Sequence, residues 1–274
     1  MHRMNVIFII AGILLLLWLV YLLVLLRPAR QPKVYPQTLL THYAHRGLHG
    51  GDIPENSLAA FRLAAECGYG IELDLQLSRD GEVMVFHDYT LDRMTGRDGI
   101  LTALTAAELS RLQLLSADGT PTEQCIPSLR QVLEAVGGRV PLLIELKGES
   151  TDTALCPAAD AILRDYSGNY CVESFNPMLL YWYKKHRPDV MRGQLYTDVF
   201  REKGRTPLNF LLSCMALNVL SRPHFIACDR TYTHKLPVRL TTGMMGANRF
   251  VWTVRREEER PTDDTPMIFE GIRP

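Results

Sequence analysis

Residues 6–26 form an uninterrupted apolar run, VIFIIAGILLLLWLVYLLVLL, with no charged residue and no proline. A helix of 21 residues is about 30 Å long, which is the thickness of the hydrocarbon layer of a bilayer. A helix at the surface of a soluble core would have a polar face, and this segment is apolar on every side. We therefore predict one N-terminal transmembrane helix, with an anchor at residues 1–27 that contacts the lipid bilayer through residues 6–26.

A cleavable signal peptide is the alternative interpretation of this run. The apolar part of such a peptide is usually about 7–15 residues long and ends in small residues, whereas this run ends in the sequence LLRP. Arg3 precedes the run, and Arg27, Arg30 and Lys33 follow it. The positive-inside rule therefore favours a single-pass protein whose C-terminal domain is cytoplasmic.

The formal net charge of the chain is zero, from 30 Lys and Arg against 30 Asp and Glu. Because the four cations around the apolar run precede the first acidic residue, Asp52, the remainder of the chain is mildly acidic. This balance argues against a nucleic acid as partner. The 6 cysteines form no CxxC pair, a distribution typical of reduced thiols rather than of disulfides or a zinc site. The oligomeric state stays open.

After a proline-rich linker at residues 28–38, short apolar strands alternate with helical patterns through residues 39–274. The strands are predicted at Leu40–Ala44, Ile71–Leu77, Val83–Phe86, Val140–Glu145, Tyr170–Ser174, Gln194–Thr197, His224–Cys228 and Arg249–Thr253. Helices are predicted between many of them, at Ser57–Ala65, Thr105–Leu112, Ser128–Val136, Asp152–Asp165, Pro177–His186 and Leu208–Asn218. Alternation of this kind predicts a parallel sheet, and about eight strands suit a TIM (β/α)8 barrel. The short turn SRDG at residues 78–81 leaves no helix between the second and third strands and makes the barrel irregular there.

Carboxylates lie at the ends of two of the predicted strands. Glu72 and Asp74 are two residues apart, so both side chains point to the same face of their strand, and that face is the barrel interior. Two close carboxylates repel each other unless a cation lies between them. Glu145 supplies a third oxygen ligand from a later strand, and oxygen ligands suit one hard divalent cation, Mg2+ or Ca2+. A buried network of arginine and carboxylate side chains is the alternative without a metal.

Two histidines and two cations accompany these carboxylates at strand ends. His45 and His87 are candidates for an acid–base pair, since a histidine can accept or donate a proton near neutral pH. Arg46 and Lys147 place positive charge beside the predicted cation, as a bound phosphate requires. Together these groups indicate cleavage of a phosphodiester.

The order and spacing of several motifs resemble the glycerophosphodiester phosphodiesterases. The motifs are HRG at 45–47, PENS at 54–57, ELD at 72–74, DG at 80–81, VFHD at 85–88, LDRMTG at 91–96, IPSL at 126–129, ELK at 145–147, SFN at 174–176 and WTV at 252–254. The chain departs from the family at Arg255, where asparagine is frequent, and in its last residues, FEGIRP, which lack the usual motif that contains aspartate. The resemblance covers residues from about Leu40 to the end of the chain.

The resemblance implies a TIM barrel with a small insertion after the third strand. It implies hydrolysis of a glycerophosphodiester to glycerol 3-phosphate and an alcohol in phospholipid and glycerol metabolism, either directly or through a cyclic phosphate formed by the glycerol 2-hydroxyl. It also implies residue roles: Glu72, Asp74 and Glu145 as metal ligands, His45 and His87 as general base and general acid, and Arg46 and Lys147 as phosphate ligands.

Two further functions are compatible with the same residues. A lysophospholipase D would use the same catalytic groups on lysophospholipids, and an anchored active site would meet such lipids at high local concentration. An inactive barrel that binds a phosphorylated ligand belongs to a different functional class, although every polar residue needed for catalysis is present.

Overall fold

The computed structural model of the protein describes residues 2–29 and 35–274. Helix α1, His2–Val20, continues into a π-helical turn at Tyr21–Leu25. Residues Asn5–Leu25 have a mean hydropathy of 3.1 and form a helix long and apolar enough to cross a membrane, a test that a signal sequence would also pass. Of the predicted linker, residues 30–34, which include Arg30 and Lys33, lie outside the described residues.

Eight parallel strands form a closed barrel within the described residues. They are β1 (Tyr43–Ala44), β2 (Gly70–Leu77), β6 (Leu142–Leu146), β7 (Tyr170–Ser174), β8 (Arg192–Tyr196), β9 (Phe225–Asp229), β10 (Asn248–Val254) and β11 (Met267–Phe269). The neighbours run in the order β1, β2, β6, β7, β8, β9, β10, β11, and β1 pairs with both β2 and β11, which closes the barrel. The predicted TIM-barrel class is therefore confirmed.

Helices cover the outside of the barrel and form part of its loops. They are α2 (Leu58–Glu66), α3 (Asp92–Thr95), α4 (Ala106–Leu109), α5 (Leu129–Val136), α6 (Leu155–Leu163), α7 (Pro177–His186), α8 (Val199–Glu202), α9 (Pro207–Ser213), α10 (Asn218–Ser221) and α11 (Leu236–Arg239). Ser57 and Ser128 cap α2 and α5, because each hydroxyl accepts a hydrogen bond from a backbone N–H in the first turn. A left-handed Gly137 ends α5.

The second and last parts of the barrel differ from the sequence prediction. The segment predicted as the third barrel strand forms β3 (Val83–Val85), which pairs antiparallel with the end of β2 and lies outside the barrel. The insertion follows β3 and contains α3, α4 and the small sheet of β4 (Gln113–Leu115) and β5 (Pro121–Cys125). The eighth barrel strand is instead β11, which the sequence analysis missed. The helix predicted at Leu208–Asn218 is also divided into α9 and α10.

Aromatic side chains fill the barrel below the predicted site. The ring of Phe250 is stacked between Phe225 and Tyr43, at centroid distances of 4.4 Å and 6.0 Å. Leu143 and Cys171 belong to the same fully buried cluster. Because side chains two residues apart on a strand share a face, this apolar layer places Glu145 and Glu173 one layer higher, toward the carboxyl end of the barrel.

Candidate active site

Three buried carboxylates meet on neighbouring barrel strands. Glu72 and Asp74 come from β2 and Glu145 from β6, and Asp74 lies directly opposite Glu145 in the strand register. One oxygen atom from each of the three lies within 4.8 Å of the others. As the two-residue spacing on β2 predicts, Glu72 and Asp74 point to the same side of the strand. Together with Glu145 they form an acidic cluster that could bind a metal ion.

The electrostatics of this cluster fit a divalent cation. Burial, together with the charges of Asp74 and Glu145, raises the pKa of Glu72 well above its ordinary value. Burial also raises the pKa of Glu145, to about 7. For Asp74 burial acts in the same direction, but the charges of Lys147 and Arg46 outweigh it and hold the pKa low. Three ionised carboxylates this close together repel one another. A bound cation that prefers oxygen ligands, such as Mg2+ or Ca2+, offsets this repulsion.

Lys147 and Arg46 lie against the cluster. The Nζ atom of Lys147 is 2.9 Å from Glu145 Oε1 and 3.0 Å from Asp74 Oδ1. Arg46 Nε is 3.5 Å from Asp74 Oδ2, and its Nη1 donates a hydrogen bond of 2.8 Å to Glu55. Both cations are therefore fixed beside the acidic cluster, as the sequence analysis expected.

The loop after β1 has a strained backbone that serves the cluster. Arg46 and Asn56 adopt left-handed φ angles of 56° and 52°, which are uncommon for residues other than glycine. The backbone N–H of Arg46 donates to Glu72 Oε2 at 2.8 Å, and the amide of Asn56 donates to Asp74 Oδ2 at 2.8 Å. This loop thus orients two carboxylates of the cluster.

Each predicted catalytic histidine has a carboxylate on Nδ1. The Nδ1 atom of His45 is 2.8 Å from Glu270, which follows β11, and that of His87 is 2.6 Å from Asp88. Burial lowers the pKa of both histidines, although the paired carboxylate raises it in each case. With Nδ1 engaged, Nε2 is the ring atom left for proton transfer in both residues.

The backbone around His87 is held by one buried amide. Gln76 Nε2 donates hydrogen bonds to the carbonyl oxygens of Phe86, His87 and Asp88, at 2.9, 3.2 and 2.8 Å. Gln76 pairs with Met84 between the antiparallel strands β2 and β3. The hairpin of β2 and β3, which takes the place of a helix after β2, therefore brings His87 to the carboxyl end of β2.

The site opens into a cavity of about 270 Å3 at the carboxyl end of the barrel. His45, Arg46, Glu72, His87 and Glu145 all line it. Its other walls come from later strands and loops, and they include Phe175, Leu195, Asp229, Arg230, Trp252 and Arg255. The structure thus brings all seven predicted site residues together, with Asp74 and Lys147 in direct contact with the lining residues.

Two carboxylates of the site were missed by the sequence analysis. Glu173 on β7 lies opposite Glu145, is buried, lines the cavity, and has one oxygen without a hydrogen-bond partner among the described residues. Glu270 contacts both His45 and, at 3.0 Å, Arg255. The inward position of Glu173 on a predicted strand could have revealed it, whereas Glu270 follows a strand that was not predicted.

Fold and site together define a TIM barrel with an acidic, metal-competent cluster at the mouth where barrel enzymes carry out their chemistry. Comparison with known proteins narrows this class. Residues 45–265 match the glycerophosphoryl diester phosphodiesterase family. A glycerophosphodiester phosphodiesterase of Caldanaerobacter subterraneus subsp. tengcongensis is 35% identical over 242 residues, which cover 84% of this chain and 90% of the relative.

Solved structures agree with this match. A phosphodiesterase of Oleispira antarctica, in complex with the product sn-glycerol-3-phosphate, has a TM-score of 0.68 and 24% identity, with 84% of this chain and 92% of that chain covered. A glycerophosphodiester phosphodiesterase of Thermotoga maritima has a TM-score of 0.58 and 27% identity, over 84% of this chain and 94% of that one. The chain belongs to the glycerophosphoryl diester phosphodiesterase family and is a phosphodiester hydrolase.

Proposed function

We propose that the protein hydrolyses glycerophosphodiesters to glycerol 3-phosphate and an alcohol. The observation that carries this proposal is that the acidic cluster and two histidines, each paired with a carboxylate, open into the same cavity. The family match and the glycerol 3-phosphate bound to the Oleispira antarctica enzyme support the same substrate class.

We infer that Glu72, Asp74 and Glu145 hold one divalent cation, Mg2+ or Ca2+. Their oxygens lie within 4.8 Å of one another, and a set of carboxylate oxygens matches the ligand preference of these hard ions. A cation bound there supplies charge neutralisation for a phosphodiester. Arg46 and Lys147 add two fixed positive charges at the same place, and we assign to them the binding of the phosphate oxygens.

His45 and His87 are proposed as the acid–base pair. Burial keeps the pKa of each imidazole below its ordinary value, so each ring has a large neutral fraction near pH 7 and can accept a proton at Nε2. One histidine is neutral at Nε2 and takes the proton of the attacking hydroxyl group, from water or from the glycerol 2-hydroxyl. The other acts in its protonated form, which the carboxylate on Nδ1 stabilises, and donates its Nε2 proton to the leaving oxygen. Glu270 and Asp88 hold the two rings in the orientation that this transfer needs.

We propose that residues 1–27 are a membrane anchor, residues 28–38 a linker and residues 39–274 the catalytic domain on the cytoplasmic face. A retained anchor is supported by the length of the apolar helix and by the contacts of its end with the barrel. Leu26 is fully buried, and its carbonyl oxygen accepts a hydrogen bond of 3.2 Å from Asn218. A segment removed by a signal peptidase would not be expected to complete the core of the mature domain.

A lysophospholipid is the second candidate substrate, because the apolar helix would place the active site at a lipid surface. The two candidates are distinguished by incubating the full chain in detergent, with Mg2+ or Ca2+, with glycerophosphocholine or with lysophosphatidylcholine. We expect glycerol 3-phosphate from the first substrate. Lysophosphatidic acid formed from the second, without hydrolysis of the first, would instead establish a lysophospholipase D.

A further inference from the structure

Two segments near the barrel mouth expose apolar side chains to solvent. Helix α9 has no buried residue, and its Leu208, Phe210 and Leu211 are 58%, 51% and 40% exposed. In the second segment Leu236, the first residue of α11, is 55% exposed. We refer to α9 and α11 as the apolar rim. Several large apolar side chains exposed this close together mark a surface that another apolar phase covers.

The end of the membrane-spanning helix packs between these two segments. The hydroxyl group of Tyr21 donates a hydrogen bond of 2.9 Å to the carbonyl oxygen of Cys214, directly after α9. Tyr21 and Leu22 also pack against the cluster that includes Val238 of α11. The apolar rim therefore lies at the level where the apolar helix leaves the barrel.

The direction of the chain places this level at the mouth of the barrel. The segment with α9 follows the carboxyl end of β8, and α11 begins seven residues after the carboxyl end of β9. Further along, the N–H of Ala29 donates to the carbonyl oxygen of Pro223, which precedes the amino end of β9. From Tyr21 to Ala29 the chain thus runs away from the mouth, so the preceding apolar helix extends from the mouth side.

Exposed cations accompany the apolar rim. Arg201, Lys203 and Arg205 lie on and after α8, directly before α9, and all three are exposed. Apolar side chains beside cations are the combination that binds at the surface of an anionic bilayer, where each cation contributes about 1 kcal/mol.

We propose that the apolar rim inserts into the same anionic lipid leaflet that α1 enters, which turns the mouth of the active site toward the membrane surface. This interaction surface rests on the proposed membrane anchor and extends it from a tether to a fixed orientation of the barrel. The mouth of the active site then opens at the headgroup layer, so a phosphodiester carried in the membrane reaches the site without leaving the bilayer surface.

Fluorescence quenching tests the insertion directly. In the full chain, with Cys67, Cys125 and Cys214 replaced by serine, Phe210→Cys or Leu40→Cys carries an environment-sensitive fluorophore. The protein is reconstituted into vesicles of phosphatidylcholine and phosphatidylglycerol that contain spin-labelled acyl chains. Leu40 is the control, since it is 37% exposed and precedes the amino end of β1, on the side of the barrel opposite the mouth. We expect at least twofold stronger quenching at position 210, and equal quenching at both positions would overturn the proposal.

Substrate dependence gives a second readout. We expect the variant with Leu208→Glu, Phe210→Glu and Leu211→Glu to lose about tenfold of its hydrolysis of vesicle-borne lysophosphatidylcholine while its hydrolysis of soluble glycerophosphocholine is retained. An unchanged rate on vesicles would contradict insertion. If residues 1–27 are not a membrane anchor, alkaline carbonate will release the protein from the vesicles. If the protein lacks the proposed activity, the quenching result is unaffected.

Discussion

His45 and His87 use the same local arrangement from different parts of the chain. In each ring Nδ1 lies within 2.8 Å of a carboxylate oxygen, from Glu270 or from Asp88. A carboxylate there fixes the tautomer and the orientation of the ring and stabilises its protonated form. The two carboxylates should therefore affect the pH dependence of catalysis as well as its rate.

Glu270→Gln is predicted to lower kcat by about tenfold to a hundredfold, since His45 loses the carboxylate that orients its ring while no substrate contact is removed. In the structure the hydrogen bond that Nδ1 of His45 makes to the Glu270 carboxylate raises the pKa of His45, against the larger opposite effect of burial. Removal of the negative charge should therefore lower that pKa further. The limb of the pH–rate profile that depends on His45 should move to lower pH, which a profile of kcat/KM between pH 4 and 9 measures.

Glu134→Gln is the matched control, because Glu134 is exposed on α5 and remote from the histidines. An unshifted pH profile in Glu270→Gln, or an equal shift in the control, would show that Glu270 does not position His45.

Part of the site can be predicted from the sequence. His45, Arg46, Glu72 and Asp74 lie in short motifs of charged residues at the ends of predicted strands, where catalytic groups of a barrel are found. The partner of His45 is 225 residues away in the chain, and no local spacing relates positions so distant. Only closure of the barrel brings Glu270 beside His45.

At the scale of elements, the barrel depends on close contact between β8 and β9. Gly193 lies opposite Phe225, and a Cβ atom at position 193 would lie 2.0 Å from Phe225 Cε2. Phe225 is itself stacked on Phe250 inside the barrel. The aromatic layer below the site thus requires glycine at position 193.

Gly193→Ala is predicted to destabilise the protein by about 1–3 kcal/mol, because the added methyl group overpacks a closed core. Gly243→Ala is the control, since a Cβ at Gly243 meets no atom within 4 Å. Thermal unfolding in detergent should show a lower Tm for the first variant only. Equal Tm values for the two variants would show that the contact with Phe225 does not require glycine at position 193.

Most strands followed from the alternation of apolar segments, and the exceptions have physical causes. The residues of β3 have the same apolar pattern as a barrel strand, but the four-residue turn before them permits only antiparallel pairing with β2. The strand β11 has three residues after the polar sequence PTDDTP, too few to show a period. Its pairing with β1 comes from barrel closure, which a local pattern does not contain.

In the whole molecule, the net charge of zero is the sum of a basic N-terminal segment and a mildly acidic remainder. The flanks of the apolar helix are basic, whereas the barrel is mildly acidic and places two of its cations, Arg46 and Lys147, against the acidic cluster. Basic flanks favour the cytoplasmic side of a membrane. The proposed orientation therefore depends on Arg27, Arg30 and Lys33 rather than on the barrel.

Cysteine labelling is predicted to report this orientation. Cys67 is exposed directly after α2, so a membrane-impermeant maleimide should label it in permeabilised cells and not in intact cells. Cys67→Ser should lose that label. Labelling of Cys67 in intact cells would place the barrel on the opposite side of the membrane.

In the proposed function, hydrolysis depends on a cation held by Glu72, Asp74 and Glu145. The most direct measurement is release of glycerol 3-phosphate from glycerophosphocholine by EDTA-treated protein as Mg2+ or Ca2+ is returned, compared among wild type, Glu72→Gln and Glu134→Gln. We predict no activity after EDTA, recovery with metal in wild type and Glu134→Gln, and a metal requirement raised about 10–100-fold in Glu72→Gln. Full activity after EDTA, or the wild-type metal requirement in Glu72→Gln, would show that hydrolysis does not depend on a cation held by these carboxylates.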